Sequence, residues 1–233
     1  MYEKKIIPPK KAMPQAQDGT LRKFALRVPE VIYQCSGIIV FGKRIKSLVF
    51  STDLSIIKNV NADAIIAVYP FTPQPIITQA LLLAADIPVF AGVGGGLTKG
   101  QRVVNLAMFA EMQGATGVVL NAPTANAVVQ HVAETIDIPV VVTVARADTD
   151  FDARLQAGAN IFNVSAAAET PAIVRSIRER YPDVPIIATG GPTDESILET
   201  IQAGANAITW TPPSNGEIFR DIMAAYRDNK PHP

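Results

Sequence analysis

Asp53, Lys99 and Arg146 each follow closely on an apolar run of strand type and stand just ahead of a helix-forming one, which makes them the ionisable residues best placed to do chemistry. An aspartate in that position can act as a general base or metal ligand, or it can cap the helix that follows. Arg146 could grip a carboxylate or phosphate with both arms of its guanidinium, or pair with Asp148 or Asp53 instead. Lys99 is the one loop lysine able to reach inward as an electrophile or anion contact. Neutral groups end the same kind of run at Tyr69, Asn121, Thr143, Asn163, Ser165, Thr189 and Thr211, and the two asparagines are candidates to orient a substrate.

Two glycine runs add backbone chemistry. Gly92-Val93-Gly94-Gly95-Gly96 and Thr189-Gly190-Gly191 both close an apolar run, so several N–H groups could converge on an anion with a helix N-terminus just beyond. Neither is a nucleotide fingerprint: G-x-G-x-x-G needs glycine where Leu97 stands, and Lys99 is followed by Gly100 rather than Ser or Thr. At Gly94 and Gly95 an anion cradle and a merely flexible loop are equally open. At Gly190 and Gly191 a phosphate seat is preferred over a purely steric turn, with Ser214, Asn215 and Gly216 as further donors. Asp194 and Glu195 compete there with an anion, and Pro212 and Pro213 have no N–H to offer.

Other chemistry is disfavoured. His131 lies within a helical pattern and His232 in the tail, so neither a histidine acid/base pair nor a protein-built metal centre is expected. Asp148, Asp150 and Asp152 alternate like the start of a calcium loop, but Ala153 replaces the required glycine and no glutamate follows at the required offset, which favours helix capping.

These residues share one end of a repeating unit. Runs introduced by Asp-x-Pro at Asp86, Asp137 and Asp183 alternate strictly with runs introduced by Ala or Gly-Ala near Asn61, Gly114, Gly158 and Gly204, each separated by a helical segment. With Ser47–Ser51 ahead of them the strands number eight, the count that closes a (β/α)8 TIM barrel. Its active site forms at the C-terminal strand ends, where the residues named above fall. The run Gly37–Phe41 is read as an extra strand plugging the barrel base, because too few residues separate it from Ser47 for a parallel crossover. Residues 1–20 read as an extended, lysine-bearing arm, residues 21–28 as an amphipathic helix capped by Thr20, and 21–233 as one domain with the barrel proper at about 47–228.

A chain of 233 residues suits one such barrel, and 48% hydrophobic residues with only 6% aromatics suit strands buried on both faces. Lys and Arg equal Asp and Glu at 21 each, so no global field draws the chain to nucleic acid or an anionic membrane. A single cysteine, Cys35, and no signal-peptide pattern make a cytoplasmic protein the expectation.

Through Ile187-Ala-Thr-Gly-Gly-Pro and Ala203-Gly-Ala-Asn-Ala-Ile the chain resembles the phosphate-binding aldolase-type barrels, a group of isomerases, aldolases, synthases and regulatory proteins. It is also similar to a set of poorly characterised bacterial barrels commonly labelled "hydrolase", although it has neither a G-x-S-x-G elbow nor a histidine-carboxylate metal set. The resemblance implies an anion seat at Gly190, Gly191, Ser214 and Gly216. The expected function is an enzyme of lyase or isomerase type on a small phosphorylated or otherwise anionic metabolite, with Asp53 as base. No cofactor is evident, and a divalent metal would come with the ligand. The alternatives are a metabolite-binding or regulatory barrel without chemistry, and thirdly a hydrolase. Homo-oligomers are a common outcome for such barrels.

Overall fold

The computed structural model describes residues 25–232 together with Gln15 and Gly19. The expected arm therefore lies almost wholly outside the described residues, as does the first half of the expected helix over 21–28. The second half of that helix is not helical. Leu26 pairs in parallel with Val60, donating to the Asn59 carbonyl at 2.7 Å and accepting from the Asn61 N–H at 3.2 Å. The following residues explain this: Val28 precedes Pro29, and a residue before proline is pushed toward extended backbone.

Next comes a hairpin of β1 (Ile38–Val40) and β2 (Lys43–Ile45), turned by Phe41 and Gly42 with φ of 46° and 77°. Positive φ at both turn positions is the two-residue geometry whose twist suits antiparallel strands. Eight parallel strands follow: β3 (Ser47–Phe50), β4 (Ala64–Ala67), β5 (Val89–Gly94), β6 (Gly117–Leu120), β7 (Val140–Val144), β8 (Ile161–Val164), β9 (Ile186–Thr189) and β10 (Ala207–Trp210). They close in sequence order, β10 returning to β3, so the structure is a (β/α)8 barrel. After each strand comes one helix: α1 (Leu54–Lys58), α2 (Pro75–Ala84), α3 (Gln101–Met112), α4 (Asn126–Thr135), α5 (Phe151–Gln156), α6 (Thr170–Arg180), α7 (Asp194–Gln202) and α8 (Asn215–Arg227).

Side-chain alternation divides the apolar residues in two. Leu48, Ile66, Phe90, Val141 and Ile187 point into the barrel, where Ile38, Val40 and Ile45 of the hairpin join them as a plug at its N-terminal end. Val49, Ile65, Val118, Phe162 and Ile208 point outward under the helices, and Trp210 packs with them. Alone among the longer helices, α8 buries none of its residues and exposes Phe219, Met223 and Tyr226.

The Gly-Ala member of the repeat has a mechanical cause. Asp63, Asn160 and Asn206, each just ahead of its own strand, accept hydrogen bonds from the first N–H groups of the preceding strand: Ser47, Val140 and Ile186. Asn206 does most, because its oxygen also receives Arg178 at 2.6 Å and its amide donates to Ser36. Replacing it with alanine strands the Ile186 N–H and part of a half-buried guanidinium. Asn206→Ala is expected to cost about 2–3 kcal/mol, read as a lower urea midpoint at unchanged slope.

Candidate functional site

Two clefts adjoin at the C-terminal mouth of the barrel. The narrower, about 180 Å³, lies between the ends of β4, β5 and β6 and is walled by Phe71, Gly92, Gly94, Leu97 and Thr98. The wider, about 560 Å³, spans β3, β4 and β10 and is walled by Phe50, Ser51, Asp53, Ile56, Thr211 and Ser214. Val68, Tyr69, Pro70 and Asn121 belong to both, so the ends of β4 and β6 form a common wall.

That wall is built for hydrogen bonding. The Tyr69 hydroxyl accepts from the Gln74 N–H at 2.9 Å, which fixes its oxygen and leaves its proton for another acceptor. The backbone of Asn121 is committed: its N–H donates to the Gly94 carbonyl, and its own carbonyl receives the N–H and hydroxyl of Thr124. Its side-chain amide, by contrast, faces the clefts with no protein partner among the described residues. Arg154, a helix residue with no signal of its own in the sequence, braces this loop from behind by donating to the carbonyls of Ala122 and Thr124 and to the Asn126 side chain.

Asp53 lies in the wider cleft but is heavily engaged. One carboxylate oxygen accepts from the Ser55 hydroxyl at 2.7 Å and from the N–H groups of Ser55 and Ile56, capping α1; the other accepts from the Asn215 amide at 2.5 Å. The Ser55 hydroxyl and those N–H groups hold its carboxyl below the usual range, outweighing desolvation. The remaining charged candidates stand apart. Arg146 is highly exposed and makes a two-pronged pair with Asp148 at 2.9 and 2.7 Å, the alternative its sequence position allowed. Lys99 is exposed, and neither it nor Arg146 lines a cleft.

The glycine runs prove to be packed closely. A side chain at Gly190 would come within 2.7 Å of Ile197 and 2.8 Å of Ile208, so glycine there lets α7 approach the strand. Both helix N-termini flanking the expected phosphate seat carry a carboxylate of their own. Glu195 is held below its ordinary range by its own backbone N–H and the Thr193 hydroxyl, and Glu217 accepts from the Ser214 hydroxyl and N–H at 2.7 and 2.8 Å. Gly216 is exposed in the first turn of α8. Facing the barrel axis instead are Thr143, Asn163, Thr189 and Thr209, with Ser165 3.3 Å from the Thr189 hydroxyl. Of the groups that wall the clefts, Phe50, Ile56, Val68, Pro70, Phe71 and Leu97 escaped the sequence reading, because apolar residues at strand ends carry no signal apart from that of core.

No protein-family model matches the chain, and no curated protein matches it in sequence. Solved structures do. Phosphonopyruvate hydrolase is 14% identical with a TM-score of 0.60, covering 86% of each chain. The phosphoenolpyruvate phosphomutase of Streptomyces platensis subsp. rosaceus is 14% identical at 0.60, over 85% of this chain and 86% of its own. A 2,3-dimethylmalate lyase of the PEP mutase/isocitrate lyase superfamily is 12% identical at 0.59, over 90% and 84%. At such identities the likeness is one of fold. Phosphonopyruvate hydrolase has also been solved with oxalate and Mg²⁺. The mouth of this barrel does not fit such an ion by itself: both oxygens of Asp53 are taken, and the described residues hold no cluster of three His, Cys, Asp or Glu suited to a metal.

Proposed function

We propose that this barrel is an enzyme of lyase or isomerase type acting on a small carboxylate or phosphorylated metabolite laid across the shared wall of the two clefts. The observation that carries the reading is that the unengaged Asn121 amide and the anchored Tyr69 hydroxyl both wall the two clefts. Two donors on one wall suit an oxygen that gains negative charge, as an enolate oxygen does. Asp53 is the carboxylate beside them and takes the role of base once Asn215 yields to substrate. Thr211 and Ser214 bound the side of the wide cleft open to a phosphoryl end. Lys99 and Arg146 join only through movement of their loops, and a divalent ion enters only on the substrate. The exposed face of α8 supports a homo-oligomer as part of the same reading.

The test is thermal denaturation against oxalate, phosphoenolpyruvate-like acids, sugar phosphates, sugar acids and inorganic phosphate. A ligand at a hundred times its dissociation constant adds about 2.7 kcal/mol, hence roughly 5–10 °C for a chain of this size. Asn121→Leu is expected to erase that shift while leaving the unliganded melt nearly unchanged. No shift with any compound would remove the reading. A metabolite-binding barrel without chemistry is favoured by the engagement of Asp53; it expects the same shift with no turnover.

A further inference from the structure

The two halves of the mouth differ in kind. On the β3 to β6 side the inward positions are Phe50, Val68, Gly92 and Val119, apolar or bare, and the polar group comes one step further out on β6, at Asn121 of the shared wall. On the β7 to β10 side they are Thr143, Asn163, Thr189 and Thr209, in register as two neighbouring pairs. Asn163 and Thr209 are more than nine-tenths buried, at 8% and 7% exposure, and the Asn163 carbonyl oxygen and the Thr209 hydroxyl have no hydrogen-bond partner. The Asn163 amide nitrogen makes only a long contact of 3.4 Å to the Thr143 hydroxyl.

Buried polar atoms are ordinarily paired with protein or water, and a ligand that pairs the two on this inward wall takes the place water would otherwise fill. Its chemistry follows from theirs. An amide oxygen repels an anionic oxygen and accepts from O–H or N–H. The one cation just past these four strands, Arg146 after β7, is paired with Asp148 and lines neither cleft, so the wall itself offers neither a cation to a phosphate nor a free carboxylate to an ammonium. The groups complementary to hydroxyls and an amide are hydroxyls, each both donor and acceptor.

We infer that the substrate is polyhydroxylated, a sugar acid or its phosphate, whose hydroxyls are received by the Thr143, Asn163, Thr189 and Thr209 wall while its carboxylate end meets Tyr69 and Asn121. This rests on the mouth being the substrate site. A matched pair of probes isolates the hydroxyls: D-gluconate and hexanoate share chain length and charge. Wild type is expected to bind gluconate at least tenfold tighter by calorimetry. Thr209→Val keeps the shape and removes the unpaired hydroxyl, so it is expected to raise the unliganded melting temperature by a few degrees, weaken gluconate about tenfold and leave hexanoate unchanged. Asn163→Leu is expected to do the same and serves if the first variant fails to fold.

Equal affinity for the two probes, with both lost in Asn121→Leu, overturns the inference and leaves the mouth as the site. A lower melting temperature in Thr209→Val with gluconate affinity intact also overturns it, because the hydroxyl then serves the fold. Binding of neither probe by wild type overturns it as well. The reading beneath it falls too only when the wider panel of acids and phosphates gives no shift.

Discussion

Gly95→Ala should lower stability by about 4 kcal/mol and the melting temperature by roughly 8–16 °C, the largest effect expected of a methyl group added at any glycine among the described residues. Gly95 has φ of +105°, a conformation L side chains rarely adopt, and a Cβ there would lie 1.9 Å from the Thr124 hydroxyl. It would also meet the backbone N and O of Asn121 at 3.0 and 3.1 Å. Neither side can retreat cheaply. The Gly95 N–H donates to the Thr98 carbonyl at 2.9 Å, and the Thr124 hydroxyl is tied to the Asn121 carbonyl at 2.7 Å. Gly96→Ala is the control. A Cβ at Gly96 meets only the Asn121 amide, at 3.9 Å, so it is expected to stay within about 0.5 kcal/mol of wild type. A Gly95→Ala protein that melts within a degree or two of wild type would show that the loop yields, and that its glycines serve something other than close packing.

The same loop shows where sequence reading stops. Its glycines were visible as places of unusual backbone, but an anion cradle and a steric requirement look alike in one dimension. What separates them is the distance to Thr124, 29 positions away in the chain. The barrel itself was legible because its cause is periodic: Asp63, Asn160 and Asn206 recur at alternate strand starts because each caps the strand before it. The hairpin plug was legible for the opposite reason, a connection too short for anything else. Candidate site residues fared according to how local their partners are. Asp148 lies two residues from Arg146 and was foreseen as an alternative partner, whereas the Asn215 contact to Asp53 crosses 162 positions and was not. Glu195 was harder to place because a carboxylate near a helix start favours the helix dipole whatever else the loop does. Only the reciprocal bonds of Thr193 with Ser196 and of Ser214 with Glu217 show that both helix starts are already capped.

Asp53→Asn is the substitution expected to affect turnover most. As the general base of the proposed reaction, the carboxylate is worth about a hundredfold or more in kcat. Asparagine caps a helix nearly as well as aspartate, and Asn215 can turn its amide to meet it, so the variant should fold and melt close to wild type at neutral pH. That separates the catalytic role from the structural one, which alanine would confuse. The pH profile makes the prediction sharper. Hydrogen bonds from Ser55, Ile56 and Asn215 hold the Asp53 carboxyl below its ordinary range, so it stays ionised through the whole neutral region. Its contribution to stability is present above the unfolded value near pH 4 and is lost as pH falls through the lower folded value; the asparagine variant lacks that acid loss. The acid limb of kcat/KM should likewise fall below about pH 4 and disappear from the residual activity of Asp53→Asn. An acid limb near neutrality would assign the base to another group, and turnover unchanged by the substitution would leave Asp53 as the cap that joins α1 to α8. A base held this far from neutrality is weak for abstracting a carbon-bound proton. The Ser55 hydroxyl does most to hold it there and the Asn215 amide least, so catalysis of the proposed kind requires the bound substrate to desolvate Asp53 as well as to displace Asn215. Asn215→Ala is then the informative companion, because it should move the acid limb of the free enzyme upward while sparing the capping bonds of α1.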